Sequence, residues 1–154
     1  MPVQVPMMRM LRLVCALLVL APAAAYAAGA GDPSSLPSGV LTRALQAFAR
    51  VDAAGRVRNR LLTVIDYALP SSQRRLWVLE PDSRNILFHE FVAHGRGSAP
   101  ASNPDEATLF GNQPGSFRSS LGTFLTGEVY TGEHGTSLRL LGLDPGVNDL
   151  AEER

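Results

Sequence analysis

The chain has 154 residues, and its 14 basic side chains, all arginine, balance 14 acidic ones to a net charge of zero at pH 7. That balance argues against a nucleic-acid binder, which wants a basic face, and the absence of lysine excludes Schiff-base and lysine-nucleophile chemistry. A single cysteine, Cys15, excludes any internal disulfide and any zinc site built on cysteines.

Residues 1–27 read as a secretory signal peptide. Arg9 and Arg12 form a positive n-region, Leu13 to Leu20 an unbroken apolar run, and Ala21 to Ala28 a small-residue stretch with cleavage expected after Ala27. The apolar run is short of the about 20 residues a membrane-spanning helix needs, and Pro22 closes it. Arg12 stands where a lipobox around Cys15 would want an aliphatic residue. The leader implies export to the periplasm or cell envelope, with no stable membrane span after cleavage. It also removes Cys15, so the mature part, one small domain of slightly acidic charge, carries no thiol.

Residues 28–39, rich in Gly, Pro, Ser and Ala, read as a linker. An amphipathic helix is expected over residues 40–56, where Leu41, Ala44, Leu45, Phe48 and Val51 recur at three and four residues. Ser38 is its expected N-cap and Gly55 its stop. From Leu61 the period changes to two. Leu61 to Tyr67 and Arg75 to Glu80 read as strands, the second with Trp77 and Leu79 on one side and Leu76 and Val78 on the other. The turn chemistry of Pro81 to Asn85 and the run Ile86 to Ala93 make a hairpin with that strand. Gly95 to Ser116 is a long irregular stretch, of the kind that is usually functional in a compact domain. Gly122 to Tyr130 and Thr136 to Leu143 read as two more strands, and Asp144-Pro145-Gly146 as a turn. The pattern is mainly β, preceded by one helix.

Little in the residues points to a cofactor or metal. His89 and His94 are five apart and would face opposite sides if they shared a strand; His134 sits in a turn far along the chain. Gly95-Arg96-Gly97 is only a fragment of a phosphate loop. Val92-Ala93-His94-Gly95-Arg96-Gly97 resembles the His-Gly loop of some serine hydrolases, but Arg118-Ser119-Ser120-Leu121-Gly122 has arginine where the nucleophile elbow needs glycine.

The ordered set of segments carries a resemblance. Leu62 to Ser71 is followed by Arg75-Leu76-Trp77-Val78, then Val92-Ala93-His94-Gly95, Gly115 to Gly122, Thr126 to Tyr130, His134 to Leu140 and Gly142 to Asp149. In order and spacing, residues 61–154 resemble the murein L,D-transpeptidase catalytic domain, the YkuD-like family. The resemblance implies a β-sandwich with a groove, peptidoglycan as partner and no cofactor. It also implies acyl transfer by a cysteine thiolate beside a histidine, on the stem peptides of the cell wall.

In that family a His-Gly motif and a Ser-x-Gly-Cys motif follow the Asn-Asp turn, and this sequence ends before either. No catalytic residue is therefore carried over. His94, Ser119 and Ser120 are the substrate-groove candidates that the resemblance implies. The expectation is the front part of such a domain, incomplete at its C-terminal end, with open sheet edges and uncovered apolar surface. The alternatives are a non-catalytic module that binds peptidoglycan or serves a structural role, and, less favoured, a serine hydrolase.

Overall fold

A computed structural model describes residues 14–18, 36–133 and 135–153; of residues 14–18 it gives the backbone alone. The described chain is mainly β with a single long helix. Strands β1 (Val14–Leu18), β2 (Leu62–Ile65), β3 (Leu76–Leu79) and β4 (Ile86–Glu90) form one sheet in the order β1-β2-β3-β4. Strands β5 (Phe124–Gly132) and β6 (Gly135–Gly142) form a second, two-stranded sheet. Neighbouring pairs are antiparallel except β1 with β2, which is parallel. Strand β1 falls inside the segment read as a leader.

Helix α1 (Ser38–Ala53) begins two residues before the expected Val40. Ser38 is inside the helix rather than capping it. Pro37 takes the cap position at φ −54° and ψ 133°, and its carbonyl accepts the Leu41 N–H at 2.9 Å. Proline has no side-chain acceptor, so this end lacks a side-chain cap. The other end closes as the sequence suggests. Gly55 sits at φ +68°, its N–H bonds the Asp52 carbonyl at 2.8 Å, and the Arg56 N–H reaches back to Val51 at 3.2 Å. Those two bonds are the Schellman pair, which a glycine in the left-handed region permits.

The helix packs onto one face of the four-stranded sheet. Leu62 pairs with Leu79 and Val64 with Trp77 across β2 and β3, and all four are at most 2% exposed. Val40, Ala44 and Phe48 cover them, with Leu41 and Leu45 half-buried beside them. Alternation therefore holds in β3 as the sequence predicts: Trp77 and Leu79 inside, Leu76 and Val78 half-exposed. Arg60 ties the helix end to the hairpin turn, donating to Asp52 at 2.8 Å and to both carboxylate oxygens of Asp82 at 2.6 and 2.8 Å. On β4 the apolar side chains stay uncovered: Ile86, Leu87, Phe88 and the following Phe91 are all exposed.

Strand β6 leads into a knot at Asp144–Asp149. Asn148, fully buried, donates to the carbonyls of Leu121 and Thr123 at 3.0 and 2.9 Å and accepts the Asp144 N–H at 2.8 Å. Asp144 in turn accepts the Thr123 N–H at 2.6 Å. This turn therefore holds the start of β5 against the end of β6. A 3-10 turn, Ala151–Glu153, follows.

Candidate functional site

Just beyond the ends of β2 and β3, the buried phase of both strands passes from apolar to ionisable residues. Asp66 continues the series Leu62, Val64, and Arg75 precedes Trp77 and Leu79 in the same phase. The Asp66 N–H bonds the Arg75 carbonyl at 2.9 Å, extending the antiparallel register by one pair. Both residues are at most 1% exposed.

Arg75 is held by neutral acceptors. Its Nε and Nη2 donate to the Val92 carbonyl at 3.1 and 3.0 Å, its Nη1 to the Leu69 carbonyl at 2.8 Å, and its Nη2 to His94 Nδ1 at 2.8 Å. The guanidinium lies 4.8 Å from the Tyr67 ring centre, a cation–π arrangement. Burial pulls its pKa down from the usual arginine range, yet a guanidinium stays charged at any physiological pH. Asp66 has its pKa raised by burial, partly offset by the Ala68 N–H that its Oδ1 accepts at 3.0 Å.

The arginine fixes the state of His94. A guanidinium only donates, so Nδ1 must be the bare nitrogen and the proton sits on Nε2. Burial first, and the Arg75 charge second, hold the imidazole below its ordinary pKa, against a backbone hydrogen bond to Pro104 and the charge of Asp105. His94 is thus a neutral, oriented ring. It meets Tyr67 edge-on at 6.5 Å, and Tyr67 stacks on Phe110 at 5.7 Å. His94 also lines an open cavity of about 340 Å³ with Ser71, Ala93, Arg96, Ala99 and Pro104.

His94 lies past the end of β4, in the loop, while His89 is inside the strand and stacks on Trp77 at 4.7 Å. The two histidines have separate partners. His134 lies outside the described residues. Among the described residues, no three His, Cys, Asp or Glu side chains are grouped to hold a metal ion.

Ser119 and Ser120 both tie backbone together. Ser119 Oγ accepts the Gly95 N–H at 2.9 Å, and its own N–H reaches Ser98 Oγ at 2.8 Å. Ser120 Oγ donates to the Gly111 carbonyl at 2.7 Å. Ser119 therefore adjoins the His94 segment through Gly95, whereas Ser120 fastens a different part of the long loop. Gly95 and Gly97 are there for close approach: a Cβ on either would run into the carbonyl oxygens of Phe117 and Ser116. The Gly-Arg-Gly fragment is a packing device for two crossing loops.

Sequence reasoning singled out His94 and missed Arg75, Tyr67 and Arg96. A signal for Arg75 was present: an arginine in phase with the buried side of a strand is a buried charge and needs partners. Nothing local marks Arg96 or Tyr67.

The described chain is a mainly β domain with one helix, its candidate site at strand ends and in a long loop. The family model described as the L,D-transpeptidase catalytic domain matches residues 33–154, and the chain belongs to that family. Neither the curated proteins nor the solved structures gave a match.

Proposed function

We propose that this chain binds peptidoglycan, supplying the stem-peptide groove of an L,D-transpeptidase-type domain, and that it is exported by its N-terminal leader to the periplasm or envelope. Family membership supports the substrate class. The observation that carries the groove is the Arg75–His94 pair opening on the cavity beside the Ser119 loop. The family's chemistry is acyl transfer through a thiolate: the thiol sulfur attacks a stem-peptide carbonyl, the terminal residue leaves as an amine, and a second amine resolves the thioester. The only thiol in this sequence is Cys15, so a chain cleaved after Ala27 has none. The reading is therefore of binding without crosslinking by this polypeptide alone.

Co-sedimentation with purified sacculi, followed by analysis of the digested wall, tests this directly. The chain is expected to pellet with sacculi and to leave their crosslinks unchanged. Failure to pellet would remove the peptidoglycan reading, and new stem-peptide crosslinks would remove the non-catalytic one. N-terminal sequencing of exported protein is expected to begin at Ala28.

A further inference from the structure

Among the described residues, two other than glycine hold a left-handed backbone, Arg84 at φ +61° and Phe117 at φ +55°. Arg84 has a turn to account for it: its N–H bonds the Glu80 carbonyl at 2.8 Å, inside the β3–β4 connection. Phe117 lies in the long loop, away from any hairpin. A glycine would sit there at no steric cost, as Gly115 does two residues earlier at φ +76°. A bulky aromatic in that region is strained, and such strain persists only where the surroundings over-determine it. Here they do. The Phe117 carbonyl accepts the Gly97 N–H at 2.9 Å, the Arg118 N–H reaches Ser116 Oγ at 3.4 Å, and Ser116 Oγ donates to the Gln113 carbonyl at 2.7 Å.

All of this fixing presents a ring to solvent. Phe117 is 58% exposed, so burial of the aromatic does not offset the strain. One face of the ring is covered by the Arg96 guanidinium, 3.7 Å from the ring centre, in a cation–π stack. Arg96 is exposed as well, and among the described residues it has no ion-pair partner, so a planar fork of N–H donors flanks the ring. The backbone around it is already engaged. The N–H groups of Ser116, Arg118 and Ser119 and the carbonyls of Phe117 and Ser119 all bond within the crossing loops, which leaves no edge on which an extended peptide could add a strand. A nucleobase would stack too, but a chain of zero net charge supplies no track for its phosphates. An apolar plate with donors along one side suits a pyranose, which has a flat face of C–H bonds and a rim of hydroxyl and acetamide oxygens.

We infer that Phe117, backed by Arg96, is a stacking platform for an uncharged sugar ring of the peptidoglycan glycan strand. Phe117 takes the C–H face of the sugar, and the edge of the Arg96 guanidinium donates to an acetamide or hydroxyl oxygen. Ser119, two residues on, bonds the Gly95 amide at 2.9 Å, so the platform adjoins the proposed stem-peptide groove and holds the glycan beside it. The choice of polymer rests on the peptidoglycan reading above; the sugar class rests on the exposed, strained ring and its arginine.

The test is a titration of the ¹⁵N-labelled chain, read at the Gly97 and Arg118 amides, with chitotetraose as the sugar and N-acetyl-D-alanyl-D-alanine as the peptide control. Chitotetraose is expected to shift both amides saturably, and the dipeptide to bind there at least about tenfold more weakly. Phe117→Gly removes the ring and the strain together. It is expected to weaken chitotetraose at least about tenfold while its urea midpoint stays at or above that of the wild type, and Phe117→Trp is expected to bind at least as well as the wild type. Phe91→Ala is the control. Phe91 is also exposed, with the Arg74 guanidinium 5.2 Å from its ring centre, but its backbone is not left-handed, and its loss should leave binding unchanged. Equal binding of sugar and dipeptide, wild-type binding by Phe117→Gly, a lowered urea midpoint in that variant, or an equal loss in Phe91→Ala would each overturn the inference. Silence of chitotetraose up to ~10 mM from a chain that still pellets with sacculi would overturn it and leave the peptidoglycan reading standing. Saturable binding that depends on Phe117, by a chain that does not pellet, would support the platform and remove the other reading.

Discussion

Replacing Arg75 by methionine keeps the length and the apolar stem of the side chain while deleting the fork. The Leu69 carbonyl, the Val92 carbonyl and His94 Nδ1 lose their donor together. In a site where Arg75 is fully buried, a stranded acceptor costs about 1–3 kcal/mol. Against this, methionine avoids the desolvation of a cation, which removes part of the penalty. Three acceptors at the low end of that range give a net loss of about 3 kcal/mol, a large share of the roughly 5–15 kcal/mol that holds a domain of this size together. Urea unfolding followed by the fluorescence of Trp77, the sole tryptophan and 2% exposed, gives the number. Arg74→Met is the control: Arg74 is exposed, and its contact to Glu90 at 3.1 Å is a surface pair, so its loss should cost at most about 1 kcal/mol. An Arg75→Met protein within ~0.5 kcal/mol of wild type would refute the claim that this guanidinium organises the loop. A loss matched by Arg75→Lys would agree with that claim, since lysine keeps the charge and lacks the fork.

His94 carries a pH signature. Its folded pKa lies below the ordinary 6.5, so as pH falls through that value the unfolded chain takes up a proton that the folded one resists. Stability should be independent of this group above that value and fall below it until the folded pKa is passed; His94→Gln should flatten that limb of the pH–stability curve measured by urea melts. Thr63 has a buried hydroxyl without a hydrogen-bond partner among the described residues, so Thr63→Val should stabilise by about 1 kcal/mol in the same assay, and a destabilised variant would show that the hydroxyl is satisfied. Asn148→Ala strips two carbonyls and one N–H of their partner in a fully buried position and should cost about 3 kcal/mol, with hydrogen exchange speeding up first at the Asp144 amide.

Legibility in the sequence followed the range of the interaction concerned. Helix α1 and strand β3 could be read because their periodicity reflects burial on one face, whereas β4 was legible from the turn before it, its apolar side chains being exposed. The helix start was misplaced because the rule for caps weighs side-chain acceptors, and Pro37 serves with its carbonyl alone. His94 was legible only as part of a motif. Its partner Arg75 lies 19 positions away, and the two meet at 2.8 Å because the β3–β4 hairpin folds one run back on the other. Ser119 and Ser120 were legible as loop residues, but their hydroxyls answer to Gly95 and Gly111, at separations of 24 and 9. No periodicity records such bonds.

The same alternation explains why the site lies at this end of the sheet. Over Leu62–Val64 and Trp77–Leu79 the inner face is apolar and the helix covers it. One step further, at Asp66 and Arg75, the inner face is ionisable, and the described core ends there. A helix could not cover that pair without stranding polar groups, so the Leu69 and Val92 carbonyls and the His94 imidazole take Arg75, and the Ala68 N–H takes Asp66. Beside His94 the loop of residues 95–119 crosses itself closely, and this is why glycines occupy positions 95 and 97. A charge that loops must solvate in place of a core leaves a wall that is polar, shaped and reachable from outside. Ligand sites have those properties, and here they follow from two ionisable residues placed in the buried phase of two strands.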